Sequence, residues 1–415
     1  MPTAIAPPLA HRERLLIGSV IDASTGLLAE QRHDIVRFAM GAPSEDLMPI
    51  AQLDAAFDGV RSGRYDYGET EGEPVLREQI LRLSEARGIA TSDERLLVTT
   101  GGMQGLDLAF KIFVGPGDLV VVEAPTYSNG SATALSYGAE LLPVPVDDAG
   151  MIVDALPDLV ARAGRAPRAI YTIPNFQNPT GVTLSRDRRE RLLELAERWG
   201  SVIIDDDPYG PLRFAGEAVP DFSAIAPGHP LVFQVRTFSK MIAPGLRTGW
   251  IDVDPEVRRV AVRAKQAMDT CSSVPVQHAV ADYLASGHLG THLDRLRPIY
   301  RERKLAMIDA LDRRFGDRVR TTDPDGGFFL WATLQGDAAE LDTEELFPRA
   351  LGDGVAYIPG PAFTSDGTMR NALRLCFATS SPERIEDGVA RLAGAVEAEL
   401  AARGRGAGAA RTEGR

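Results

Sequence analysis

Apolar residues in the middle of the chain gather into short β-branched runs separated by segments of helical period. The runs Asp118 to Glu123, Arg168 to Ile173, Ser201 to Asp205 and Leu231 to Val235 are almost uniformly apolar inside. That pattern predicts strands covered on both faces, as in a parallel sheet. Between two of them, Ser185 to Trp199 sets charges on one side and Leu192, Leu193, Leu195 and Ala196 on the other. It predicts an amphipathic helix with Ser185 as N-cap and Gly200 as the stop. The alternation gives an open, doubly wound α/β architecture. The last third reads differently, with a long charged helix over His292 to Phe315 and strands over Gly327 to Leu334 and Ala372 to Phe377. A second α+β unit, joined by the N-terminal arm, is expected there. From Gly404 the tail has no apolar face and is expected to be disordered.

Composition narrows the partners. The 415 residues carry a formal net charge of -13, which offers no counter-charge to nucleic acid or to an anionic membrane. Cys271 and Cys376 are the only cysteines, too few for a disulfide framework and without metal-ligand spacing, so a reducing cytoplasm is expected. No export signal and no membrane-spanning stretch is read, and small-molecule chemistry is the remaining default.

Candidate chemistry collects at the predicted strand ends. Leu231 to Val235 runs into Thr237-Phe238-Ser239-Lys240, and Arg247 follows in Leu246-Arg247-Thr248-Gly249. Hydroxyls, a lysine and an arginine together suit a covalently held, phosphate-bearing cofactor, although a lone lysine after a strand is ordinarily a solvated residue. Thr99-Thr100-Gly101-Gly102-Met103-Gln104-Gly105 opens a helix pattern, where backbone N–H groups and the helix dipole favour a phosphate. The segment matches neither the P-loop nor the dinucleotide fingerprint, and alone reads as a turn. Pro174 to Gly181 and Asp205-Asp206-Asp207-Pro208-Tyr209 also follow strands. Alone, the first is a turn and the second a solvated acidic loop or a metal site. Together with Lys240 and Arg247 they supply the groups that pyridoxal 5′-phosphate requires.

In this order, with Glu123-Ala-Pro-Thr-Tyr127, Phe38 to Pro49, Tyr65 to Glu78 and Asn371-Ala-Leu-Arg374, the motifs cover about Ile35 to Ser380. The chain resembles the class I and II aminotransferases of pyridoxal-phosphate fold type I, in the branch of the 2-aminoadipate and kynurenine aminotransferases. The resemblance implies a large domain over 46–288 with a mostly parallel seven-stranded sheet flanked by helices, and a small α+β domain over 289–403. An arm over 1–45 and a tail over 404–415 complete the chain. It implies transfer of an amino group from an L-amino acid to a 2-oxo acid. Lys240 would form the Schiff base with the cofactor and shuttle the Cα proton, a task for a neutral amine. Asp206 would pair with the pyridinium nitrogen, Tyr209 and Asn178 would bond the phenolic oxygen, and Tyr127 would stack on the ring. Gly102, Met103, Thr237, Ser239 and Arg247 would hold the phosphate. Arg374 would grip the substrate carboxylate beside Gly41, with Asn178 nearby. Tyr67 would reach the phosphate of a neighbouring subunit, which implies a homodimer with shared sites. No metal is implied.

Departures bear on the substrate. Many relatives read Ser-x-Ile-Arg on the arm, whereas this chain reads Ser19-Val20-Ile21-Asp22, and Ser44-Glu45-Asp46 adds two carboxylates. Charge reversal at Asp22 points to a cationic or guanidino amino acid; the competing reading has Asp22 capping a turn and Glu45 and Asp46 facing solvent. His33, His278 and His292 lack a catalytic partner, and Phe328, Phe329 and Trp331 read as small-domain core. The fold also hosts elimination, cyclisation and oxidative deamination in natural-product assembly, which is the alternative chemistry. Regulators that use the fold to sense effectors form a third reading, disfavoured because the resemblance begins at about Ile35 and the charge is acidic.

Overall fold

The chain is seen in a computed structural model that describes residues 8–19, 26, 32–60 and 65–412. In chain order its strands are β1 (Val36–Arg37), β2 (Leu96–Thr99), β3 (Leu119–Ala124), β4 (Glu140–Asp147), β5 (Gly150–Met151), β6 (Ala169–Thr172) and β7 (Val202–Asp206). They continue with β8 (Val232–Thr237), β9 (Gly249–Asp252), β10 (Val319–Thr321), β11 (Phe329–Leu334), β12 (Val355–Ala356), β13 (Ile358–Pro359) and β14 (Ala372–Cys376). The large sheet is eight-stranded in the order β2-β9-β8-β7-β6-β3-β4-β5. Seven strands were expected; the additional one is the two-residue hairpin strand β5, paired antiparallel to β4, too short to leave a periodic signal.

The β-branched runs are where the sheet is parallel, at β4-β3-β6-β7-β8. Both faces are covered. Val120 and Val122 pack with Leu106, Leu108 and Phe110 of helix Gly102–Phe113. Val121 turns the other way, toward Leu192, Leu195 and Ala196 of helix Arg186–Trp199. Strand order reverses between β3 and β6, and at such a switch point the loops leaving the strand ends part to form a crevice.

Helix Arg186–Trp199 departs from expectation in two details. Ser185 sits at the N-cap with extended backbone, but its hydroxyl caps nothing. Arg189 lies on the buried face, fully covered, and donates to the carbonyls of Leu184, Pro174 and Pro220 and to Asn175 Oδ1. A buried guanidinium is tolerable because its donors are satisfied. It also fastens the loop after β6.

The remaining strands form an antiparallel sheet, β10-β11-β14-β13, and the parallel pair β1-β12. Against them pack the long helix His288–Phe315 and the last helix, Pro382–Thr412. That last helix continues through Thr412, so the segment from 404 that was expected to lack structure has a helical backbone. Extending an existing helix avoids the cost of nucleation, and the alanines and arginines offset the glycines. Among the described residues no helix is long and apolar enough to cross a membrane.

Candidate active site

The crevice at the switch point holds a cavity of about 270 Å³ whose walls include Lys240, Asp206, Tyr209, Asn178, Tyr127, Gly102, Met103, Thr237, Ser239, Arg247, Arg374 and Gly41. Among the described residues, the structure therefore brings together every predicted site residue except Tyr67.

Lys240 follows β8, and its Nζ donates to the Gly41 carbonyl. Burial pushes the amine down to about 8, with Arg374 and Arg247 adding to the effect and Cys376 and Asp206 opposing it. The drop from 10.5 amounts to roughly 3 kcal/mol against the charged form. A lysine so placed has a large neutral fraction at mildly basic pH and can act as nucleophile or base.

At one end of the cavity the backbone forms a cradle. Helix Gly102–Phe113 starts after Gly101, whose φ of 79° suits glycine, and no side chain caps its first turn. A Cβ at Gly101 would stand 2.5 Å from Arg247 Nη2, so only glycine lets the guanidinium close over the turn. Gln104 folds back to accept from the Thr100 N–H at 2.8 Å, leaving the Gly102 and Met103 amides for a ligand. Across from them, the Thr237 and Ser239 hydroxyls lie 2.8 Å apart. Arg247, at φ 47°, spends one bond on the Pro244 carbonyl. Two amides, two hydroxyls and a guanidinium are the donor set of a phosphate.

Deeper in, the three aspartates separate by strand alternation. Asp205 pairs with Arg236 at 2.7 Å, and Asp207 accepts from Asn175 and the Gly210 N–H. Asp206 faces the cavity alone and accepts from Tyr171 Oη at 3.0 Å. Burial raises Asp206 to about 7; the Tyr171 bond and the Arg236 charge pull it down, while Asp205 and Asp207 push it up. A desolvated carboxylate that lacks a cation of its own suits a protonated ring nitrogen. Tyr209 is buried against Phe328 and Phe329, edge to face, with ring centres 5.5 and 5.8 Å apart. Burial carries its phenol well above the usual range. Tyr127 reaches Met103 Sδ with its hydroxyl at 3.7 Å.

Arg374, on β14, is fully buried and held by donating to Asn178 Oδ1 at 3.0 Å and the Ala39 carbonyl at 2.7 Å. Its guanidinium lies 4.2 Å from the Phe329 ring and 5.2 Å from that of Phe363, while its Nε has no hydrogen-bond partner among the described residues. Arg374 is also part of the cavity wall, and a buried cation at a cavity suits an anion. Phe329 corrects the sequence reading: it is part of the cavity wall as well as of the core. Tyr171 and Phe363 were also missed. Both look like core residues in sequence, and only strand register reveals what they touch.

The remaining expectations divide. Tyr67 is 83% exposed, outside the cavity. Asp22 lies outside the described residues. Glu45 is exposed, and Asp46 lies 3.6 Å from Arg303 while its carbonyl accepts from Arg295. Neither carboxylate lines the cavity, whose apolar wall is Met40, Leu106, Ile173 and Phe329.

Comparison with known proteins agrees with this geometry. The profile of the family "Aminotransferase class I and II" matches residues 33–392. Aromatic-amino-acid aminotransferase 1 of Thermococcus litoralis is 36% identical over 88% of this chain and 89% of its own length. The 2-aminoadipate transaminase of Thermus thermophilus is 37% identical over 89% of this chain and 92% of its own. The crystal structure of Pyrococcus horikoshii kynurenine aminotransferase superposes with a TM-score of 0.88 at 34% identity, covering 94% of this chain and 97% of that one.

Proposed function

Since the chain belongs to the class I and II aminotransferases, pyridoxal-phosphate-dependent enzymes that exchange amino groups between amino and 2-oxo acids, we propose the following division of labour at its cavity. When bound, the cofactor supplies an electron sink for the pair left at Cα. Lys240 would hold the cofactor covalently through its amine and, once free, would take and return the proton at the substrate Cα. Asp206 would pair with the ring nitrogen, with Tyr171 holding Asp206 in place. Tyr209 and Asn178 would donate to the phenolic oxygen, and Tyr127 would pack on the ring. Gly102, Met103, Thr237, Ser239 and Arg247 anchor the phosphate. Arg374 fixes the substrate carboxylate, so that the Cα–H bond points along the direction in which Lys240 takes it.

The observation that carries this reading is the convergence of Lys240, Asp206 and Arg374 on one cavity with the cradle at its end. Borohydride reduction of the holoenzyme followed by peptide mapping checks it. A pyridoxyl adduct on Lys240 is the expected result, and an adduct on another lysine sinks the assignment.

For the donor, we propose an L-amino acid with a neutral aromatic or long aliphatic side chain. The described wall is apolar, and Asp206 is the one carboxylate among the cavity residues. The case for a cationic side chain now rests on Asp22 alone. The relatives named for aromatic amino acids and kynurenine support the neutral reading. In a donor panel with 2-oxoglutarate as acceptor, phenylalanine, leucine and kynurenine should exceed arginine, ornithine and lysine in kcat/KM; the reverse order restores Asp22. The exposed Tyr67 supports a homodimer that shares its sites, and the two free cysteines support a cytoplasmic location.

A further inference from the structure

Glu123, at the end of β3, is 2% exposed and lies outside the cavity wall. Three donors converge on its carboxylate. Thr172 Oγ1 donates to Oε1 at 2.7 Å, and the Ile173 N–H and Gln177 Nε2 donate to Oε2 at 3.3 and 3.0 Å. Gln177 is itself saturated: its Nε2 also donates to the Pro125 carbonyl at 2.7 Å, and its Oε1 accepts from the Thr180 N–H and hydroxyl at 2.9 and 2.6 Å. Gln177 and Thr180 are almost fully buried. One carboxylate thus ties together the loop carrying Asn178 and the loop carrying Tyr127. Asn178 in turn holds Arg374, and the Thr126 N–H donates at 2.9 Å to the carbonyl of Phe363, whose ring flanks Arg374.

We propose that Glu123 is a positioning residue for the substrate-carboxylate clamp: through Gln177 it fixes Asn178, and through Asn178 the aim of Arg374. This rests on the aminotransferase reading of the cavity. The carboxylate is the form that fits, because Thr172, Ile173 and Gln177 all present hydrogens to it. Burial lifts Glu123 to about 7, with the Thr172, Gln177 and Ile173 bonds opposing and the Asp206 charge adding to the rise. An uncharged amide in its place presents only one acceptor oxygen: turned toward Gln177 and Ile173 it sets its –NH2 on the Thr172 hydroxyl, turned the other way it sets it against the –NH2 of Gln177, and in either case the charge-assisted bonds of the hub are lost.

The test is Glu123→Gln, with Thr172→Val as a milder variant that removes a single donor. The holoenzymes are compared by absorbance spectrum and by KM against kcat. Affinity for a 2-methyl amino acid, which has the carboxylate but no Cα proton to lose, is measured by spectral titration. Amide hydrogen exchange is followed over residues 174–182 in the apoenzyme. In Glu123→Gln, KM and the dissociation constant of the 2-methyl amino acid should each rise about tenfold or more, the worth of one charge-assisted hydrogen bond. The change in kcat should be smaller, exchange over 174–182 should quicken, and Thr172→Val should move the same quantities less. A folded Glu123→Gln holoenzyme with unchanged KM, affinity and exchange overturns the proposal. Loss of kcat alone, with KM unchanged, also overturns it. Failure of the wild-type protein to show a cofactor absorbance band would instead strike at the underlying reading. If Glu123→Gln does not fold, an unchanged KM and exchange in Thr172→Val decides against the proposal.

Discussion

Lys240 is surrounded by apolar walls and two arginines, and these hold its amine near 8 where a solvated lysine lies near 10.5. The sign follows directly: burial and positive neighbours both penalise the ammonium, so the neutral form appears at lower pH. Only the neutral amine attacks an aldehyde. The rate at which apoenzyme takes up pyridoxal phosphate should therefore climb with pH around a midpoint near 8, read by stopped-flow absorbance; a midpoint near 10.5 would falsify the desolvated site. Arg374→Leu removes one of the depressing charges, so that midpoint should move upward. The same variant should lose roughly 100-fold in kcat/KM for any donor, because the carboxylate loses a charge-assisted partner. Both residues were legible in the sequence through their order among the motifs. Their environment was not, because pKa depends on neighbours that register alone supplies.

At the scale of elements, the strand ends explain why motifs far apart in sequence share one cavity. The order reversal between β3 and β6 places the Tyr127, Asn178, Asp206 and Lys240 loops side by side. The apolar runs predicted those strands, and the phosphate turn predicted the helix start. What period and propensity could not show was how the helix after β3 meets β6. Helix Ser128–Ser136 passes over Tyr171 with Gly130 at the crossing, where a Cβ would lie 2.5 Å from Tyr171 Oη. Gly130→Ala should therefore push Tyr171 off Asp206 and cost about 1–3 kcal/mol of stability by overpacking, seen in chemical denaturation. Tyr171→Phe isolates the hydrogen bond. Burial already raises Asp206 to about 7 and the Tyr171 bond lowers it, so removing the hydroxyl lets it rise further. The acid then protonates at higher pH and loses its hold on the ring nitrogen. Dialysis against a pH series should strip cofactor from Tyr171→Phe at a higher pH than from the wild type; identical curves would separate Tyr171 from the ring nitrogen. Sequence offered no cue to this pair, since a tyrosine within a β-branched run reads as core and a glycine within a helix reads as a tolerated weakness.

At the scale of the whole molecule, one stretch of surface stands out. Tyr65 and Tyr67 are 75% and 83% exposed, an unusual position for two large aromatic side chains so close together in a folded chain. Among the predicted cofactor contacts within the described residues, Tyr67 alone stands outside the cavity, and a second copy of the chain would give it a phosphate to reach. A cavity completed from two chains makes a prediction that no monomer can meet. Tyr67→Ala leaves each chain its own Lys240 but deprives the neighbouring site of its tyrosine, whereas Lys240→Ala keeps the tyrosine and loses the amine. Each variant alone should have little activity at low cofactor concentration. Unfolded together and refolded, they should form mixed dimers in which one of the two sites has both residues, so activity should recover toward about a quarter of the wild-type value if chains pair at random, half of the dimers then being mixed, and each site works independently. Sedimentation should show a dimer throughout. If mixing restores nothing while each variant still sediments as a dimer, Tyr67 serves its own chain or none, and the shared site is wrong even though the dimer stands. If the wild type sediments as a monomer with full activity, the exposed tyrosines need another explanation, and the cavity built from Lys240, Asp206 and Arg374 is complete within one chain.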